Sequence, residues 1–136
     1  MYKEFSLTIL TPERVFYDGT ADIVTITTKD GKYTFLAGHL PFVAPLEIGT
    51  LSYRAHGVRQ TVFNSEGFVE VASDGVIIYA QTCEWPEEID ENRAREAKDR
   101  AEERMRQRQS INEYKQSQIA LARAMARLQV SQSRRK

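Results

Sequence analysis

The chain has 136 residues, balances 19 Lys+Arg against 19 Asp+Glu, and is 41% hydrophobic and 28% charged, which suits one or two small globular units. No stretch approaches the roughly 18 consecutive apolar residues of a membrane span, and the opening MYKEFSLTIL is too interrupted by polar residues for a signal peptide. A single cysteine, Cys83, excludes an intramolecular disulfide framework and a multi-cysteine zinc site, and zero net charge gives no bulk attraction to nucleic acid or membrane.

That balance hides two unlike halves. Residues 1–86 carry 6 basic and 10 acidic side chains, and residues 87–136 carry 13 and 9, so the halves have charges of −4 and +4. Every glycine and proline lies before position 87, as do all aromatic residues except Tyr114, which places a domain boundary at Trp85 and Pro86.

In the first unit, turn signals recur at Asp18-Gly19, Asp30-Gly31, Gly49, His56-Gly57, 64–67 and Ser73-Asp74-Gly75. Between them lie β-rich runs at 5–10, 23–28, 68–72 and 76–82, with core-facing alternation in Phe5, Leu7, Ile9 and in Val69, Val71. Short, evenly spaced strands predict an antiparallel β-sandwich or barrel.

The second unit is rich in Ala, Glu, Arg and Gln and predicts a two-helix hairpin over roughly 87–108 and 111–130. Pro86 and the acidic run Glu87, Glu88, Asp90, Glu91 supply the first start. Ser110 and Glu113 have capping-box spacing for the second. A basic tail, 133–136, is expected to fray. The expected class is α+β, a sandwich followed by helices.

The first helix gathers Ile89, Ala94, Ala97, Ala101 and Met105 in a narrow stripe, flanked by Asp90, Arg93, Arg100, Arg104 and Arg108. Arg100–Arg104 and Arg104–Arg108 are like-charge i,i+4 pairs, which an acidic partner or bound anion would offset. Simple solvation is the competing reading, with Glu91–Arg95, Glu96–Arg100 and Glu102–Arg106 as local ion pairs. On the second helix Ile111, Tyr114, Leu121, Met125 and Leu128 form one apolar face and Ile119, Ala122, Ala126 and Val130 another, implying two packing partners. Arg123 and Arg127, folded back, would join Arg93 and Arg100 around one polyanion.

Two other function classes find little support. An enzyme would have to be built from His39, His56 and Cys83, which lack metal-motif spacing and lie in separate segments. A nucleic-acid module would rest on the basic helices, where interleaved acids and missing aromatic platforms argue against it.

In chain order, Leu10-Thr11-Pro12-Glu13, Val15 to Gly19, the stretch 31–49 (GKYTFLAGHLPFVAPLEIG), Gly67-Phe68-Val69-Glu70-Val71 and Ile89-Asp90-Glu91-Asn92-Arg93-Ala94 resemble the epsilon subunit of bacterial F-type ATP synthase. The last matches that family's I-D-x-x-R-A nucleotide motif; Thr34 and Ala37 depart from the central stretch. The resemblance implies a non-catalytic rotor component at the cytoplasmic face of the bacterial plasma membrane, peripheral and held there by the complex. A sandwich over 1–86 would dock the gamma subunit and the c-subunit ring, with Asp30, Gly31, Lys32 and His39 in the ring-contact loop. A mobile hairpin over 87–136 would reach the alpha and beta subunits and restrain ATP hydrolysis through Arg100, Arg104 and Arg108. ATP, with or without magnesium, would act as a regulatory ligand on Glu84, Ile89, Asp90, Arg93, Ala94, Arg100, Arg123 and Arg127. No catalytic residue, resident metal or P-loop is implied.

Overall fold

The computed structural model describes residues 2–133. Ten strands precede two helices: β1 (Phe5–Leu10), β2 (Val15–Ala21), β3 (Ile23–Thr28), β4 (Gly31–Phe35), β5 (Phe42–Leu46), β6 (Gly49–Ala55), β7 (Val58–Asn64), β8 (Gly67–Ala72), β9 (Gly75–Ala80), β10 (Cys83–Glu84), α1 (Glu91–Arg106) and α2 (Ile111–Ser133). The strands form two five-stranded sheets, ordered β2-β1-β9-β8-β5 and β10-β7-β6-β3-β4, with the core between them. All pairs are antiparallel except β1 with β9, which run parallel as the first strand is inserted beside the last long one. Inward residues at every second position build the core: Leu7 and Ile9, Val24 and Ile26, Leu51 and Tyr53, Val69 and Val71, Val76 and Ile78.

Turn chemistry explains most strand ends. His56 and Gly57 both have positive φ, 52° and 77°, the pairing a tight two-residue hairpin requires between β6 and β7. Asp18-Gly19 is an exception, because it lies inside β2, paired with Leu7 and Thr8 of β1. The β1–β2 reversal falls earlier, where the Thr11 amide donates to the Arg14 carbonyl at 3.0 Å and the Arg14 amide to Thr11 Oγ1 at 3.2 Å.

The first helix also starts later than its proline suggests. Pro86–Glu88 form a separate 3₁₀ turn, Ile89 is extended, and Asp90 is the N-cap, its Oδ1 accepting from the Arg93 amide at 3.1 Å. Ile89 packs with Phe63, Ala126 and Val130, a placement made while its backbone is still outside the helix. At the other end α1 stops at Arg106, Gln107 is extended, and Arg108 lies in the connection; Arg104 and Arg108 are therefore not i,i+4 neighbours on one helix. The capping box forms: Glu113 N donates to Ser110 Oγ at 3.2 Å and Ser110 N to Glu113 Oε1 at 3.4 Å. Ser133 belongs to α2 rather than to a tail; 134–136 lie outside the described residues.

The helices pack through small side chains. Ala94 and Ala101 are buried on α1; Ser117, Ala124 and Ser131 recur at every seventh position on α2 and are buried as well. Ala126 and Val130 set α2 against Phe63 and Ile48 of the sandwich. The expected stripe of large residues stays largely outside: Ile111 is 75% exposed, Met125 51% and Tyr114 40%. Close helix contact selects small residues, so the larger ones are displaced from the seam.

Candidate functional site: a cleft between the helices and the sandwich edge

Eight residues singled out from sequence meet in one cleft. Glu84 of β10, Ile89 and Asp90 before α1, Arg93, Ala94 and Arg100 of α1, and Arg123 and Arg127 of α2 line a cavity of about 450 Å³, joined by Glu88, Ala97, Ala120 and Ala124. The fold produces this convergence simply. The turn at Pro86–Glu88 sends α1 away from β10, the antiparallel return brings α2 back, and residues one turn apart on each helix then face one space. Its floor is alanine and isoleucine, and its rim is charged.

The charges are already partly paired. Arg127 makes a forked pair with Glu84, Nε to Oε1 at 2.8 Å and Nη2 to Oε2 at 3.3 Å, and its guanidinium lies 4.5 Å from the Phe63 ring centre. Arg123 reaches out of the cleft to Glu66 in the β7–β8 turn, Nη2 to Oε1 at 3.1 Å. Among the described residues, no ion pair holds Arg93 or Arg100. The expected Glu96–Arg100 and Glu102–Arg106 pairs are not formed: Glu102 pairs with Lys98 at 3.6 Å and Arg106 with Glu103 at 3.0 Å, while Glu91–Arg95 stands at 3.8 Å. Two cations thus remain in an alanine-walled cleft beside the N-terminus of α1, an arrangement suited to phosphate groups, with apolar surface next to it for a flat ring.

A third ion pair braces the joint between the units. Arg14 Nη2 donates to Glu88 Oε1 and Oε2 at 2.8 and 3.0 Å and to the Cys83 carbonyl at 3.2 Å, while the Trp85 amide donates to Glu88 Oε1 at 2.8 Å. The Arg14 hydrogen bond holds the Glu88 carboxyl below the usual carboxylate range against the opposing effect of burial. Sequence reasoning missed Arg14 and Glu66, and read Glu88 only as part of an acidic helix start. Partners 57 and 74 residues apart leave no periodic signal.

The residues assigned to the ring-contact loop are not gathered. Asp30 occupies the β3–β4 turn and Gly31 and Lys32 begin β4, whereas His39 follows the far end of that strand, its Nε2 accepting from the Leu36 amide at 3.0 Å. Lys32 folds back on the sheet, Nζ donating to Thr27 Oγ1 at 2.8 Å and Thr50 Oγ1 at 2.6 Å, and burial lowers its pKa. His39, His56 and Cys83 sit on three separate elements, and no cluster of three His, Cys, Asp or Glu fit for a metal occurs among the described residues. Burial pushes the Cys83 thiol up to about 12, which removes its nucleophilic form.

The sandwich, the two helices and the cleft between them define a two-part subunit, with charged and small apolar side chains converging where the parts meet. The profile described as ATP synthase, Delta/Epsilon chain, beta-sandwich domain matches residues 4–86, and that of the long alpha-helix domain matches 87–132. The ATP synthase epsilon chain of Caldanaerobacter subterraneus subsp. tengcongensis is 44% identical over 132 residues, 96% of each chain. That of Ruminiclostridium cellulolyticum is 45% identical over 131 residues, 96% of this chain and 98% of the relative. A chain in the structure of Euglena gracilis mitochondrial ATP synthase, resolved with OSCP, F1 and c-ring, superimposes with a TM-score of 0.82 at 25% identity, over 90% of this chain and 78% of that one. A Tetrahymena thermophila mitochondrial chain shares the fold, with a TM-score of 0.65 at 13% identity over 96% of this chain and 98% of that one. The protein belongs to the ATP synthase delta/epsilon family, on its epsilon-chain branch. It is a non-catalytic subunit of the synthase.

Proposed function

We propose that this subunit is a central-stalk rotor component that helps couple proton flow to ATP synthesis, and that ATP clasps its hairpin in the compact form seen here. The single observation carrying the clasp is the convergence of Glu84, Ile89, Asp90, Arg93, Ala94, Arg100, Arg123 and Arg127 on one cavity. Ile89 and Ala94 give the adenine ring apolar contact, Asp90 and Glu84 accept at its polar edge, and the arginines take phosphate oxygens. Magnesium is compatible with this reading as a companion of the phosphates. The sandwich docks the gamma subunit and the c ring, which holds the protein peripherally at the cytoplasmic face of the plasma membrane; no helix among the described residues is long and apolar enough to span a bilayer. Opened, the helices approach the alpha and beta subunits, where Arg100, Arg104 and Arg108 restrain hydrolysis.

Calorimetric titration of the full chain with ATP tests the clasp. Asp90→Ala combined with Arg93→Ala should weaken binding by roughly a hundredfold, about tenfold or more for each lost charged hydrogen bond. Because Asp90 also caps α1, Asp90→Ser with Arg93→Ala separates the two roles, serine retaining the cap. Equal ATP affinity of the wild type and both variants would overturn the reading.

A further inference from the structure

We propose that Glu66 is an internal rival of the nucleotide: its carboxylate occupies Arg123, and bound phosphate must take that arginine from it. This regulation rests on the nucleotide reading of the cleft. Glu66 stands in the turn between β7 and β8, outside the cleft, on the wall of a separate apolar groove that includes Pro12, Phe68 and Tyr79. Arg123 lines the cleft, yet its Nη2 points to Glu66 Oε1 at 3.1 Å and Oε2 at 3.4 Å. The arginine thus borders the cleft while its guanidinium is bonded to a carboxylate that lies outside it.

The turn carrying the rival is rigid. Ser65 N donates to the Thr82 carbonyl at 2.9 Å and Gln81 N to the Glu66 carbonyl at 3.0 Å. At position 67 a side chain would run into the Tyr79 carbonyl, so the chain passes at a distance only glycine allows. Glu66 is consequently presented to α2 at a fixed place. The pair itself is open to water, with side chains 41% and 52% exposed, so it exchanges at small cost. Arg127 behaves differently. Its forked bond to Glu84 lies on the wall of the cleft itself and it is anchored over Phe63, so it is part of the site's frame rather than its moving part.

Two compact forms follow. Without nucleotide, Glu66–Arg123 ties α2 to the β7–β8 turn. With nucleotide, Arg123 turns inward to phosphate and Glu66 is released, so the broken pair is subtracted from the binding free energy. A multiply charged phosphate chain outcompetes one carboxylate for a guanidinium when both are within reach.

The test is titration of the full-length wild type, Glu66→Gln and Glu70→Gln with metal-free ATP. Glu70→Gln removes the same unit of charge from an exposed site on β8. Glu66→Gln should tighten ATP binding by roughly two- to fivefold, the factor an exposed ion pair supplies, and Glu70→Gln should leave it unchanged. Equal, measurable affinity of all three chains overturns the rivalry and leaves the nucleotide site standing. Tightening by both variants equally also overturns it, as a bulk charge effect. No binding by wild type or Glu66→Gln overturns both readings together. A second measurement, amide exchange without nucleotide, should show faster exchange around Arg123 in Glu66→Gln and not in Glu70→Gln; equal rates overturn the latch.

Discussion

The sandwich and the helical hairpin are stabilised in different ways, and the contrast shows which of them is held more weakly. In the sandwich, large side chains including Phe35, Leu7, Ile9, Leu51 and Ile78 are fully buried between sheets that knit local hairpins together by longer-range pairs such as β1 with β9 and β5 with β8. Where the hairpin meets it, the apolar cluster comprises Phe63, Ala126 and Val130, with Ile48 and Ile89 at its margin, supplemented by three ion pairs that span the units. Burial of a large side chain contributes about 1.5–3 kcal/mol, whereas an exposed ion pair contributes about 0–1 kcal/mol. The attachment is thus weak relative to what it attaches, which is compatible with the opening of the hairpin proposed above.

Core truncation should have the largest effect and should act in one direction. Leu7→Ala is expected to cost about 2–5 kcal/mol in urea unfolding followed by circular dichroism, and to take the hairpin with it, since short helices are marginal without packing. Retention of native helix signal after the sandwich has melted would break the contrast. The reverse experiment is to cut the chain after Pro86; residues 1–86 should keep their sheet signal and their amide protection. Loss of both would show that the helices are part of one cooperative unit.

Next in size is overpacking of the helix seam. Ala101→Leu should cost about 1–3 kcal/mol of hairpin stability, seen as faster amide exchange in α1 and α2, with exchange in β1 and β9 unchanged.

How far these elements were readable in sequence differs between the same two regions. β1 and β3 coincide with the β-rich runs at 5–10 and 23–28, the first also marked by its alternation, and the Ser110–Glu113 box forms as its spacing predicts, because such signals are local. Asp18-Gly19 reads as a turn and is strand, since pairing with Leu7 and Thr8 overrides local preference. Convergence of the eight cleft residues was legible through the family motif together with helix periodicity. That Arg123 and Arg127 would already hold Glu66 and Glu84 was not, as those carboxylates come from a turn and an edge strand of the other unit.

Acid should have a smaller effect. Arg14 depresses Glu88 and Arg54 depresses Asp22, in both cases chiefly by hydrogen bonding. A depressed carboxyl contributes stability that is complete above its unfolded pKa and is lost as pH falls through the folded one, so urea midpoints should begin to fall as pH drops through the ordinary carboxylate range, about 4, and keep falling below it. Glu88→Gln should flatten part of that slope while costing less than about 1 kcal/mol near neutrality, given its exposure. An unchanged slope would remove Arg14–Glu88 from the joint.

The smallest expected effect is on Cys83. With its thiol pushed up to about 12, it should resist alkylation near pH 8 in the native chain and react once urea unfolds it. Native reactivity would show that β10, the strand leading into the Pro86–Glu88 turn, opens by itself.

The parallel insertion of β1 beside β9 also sets the order in which the sheet can close. Ser6 and Leu7 pair with Gly75 and Val76, so the first strand of this sheet in chain order waits for the last one before both of its edges are covered. During that interval β1 and β2 form an unfinished hairpin with an open inner edge, exposed to the wrong neighbour. Closure becomes possible only when β9 emerges, at which point much of the hairpin is still within the tunnel. Domains fold N-terminal first as units during synthesis, so the sandwich can be complete before the helices reach its apolar edge.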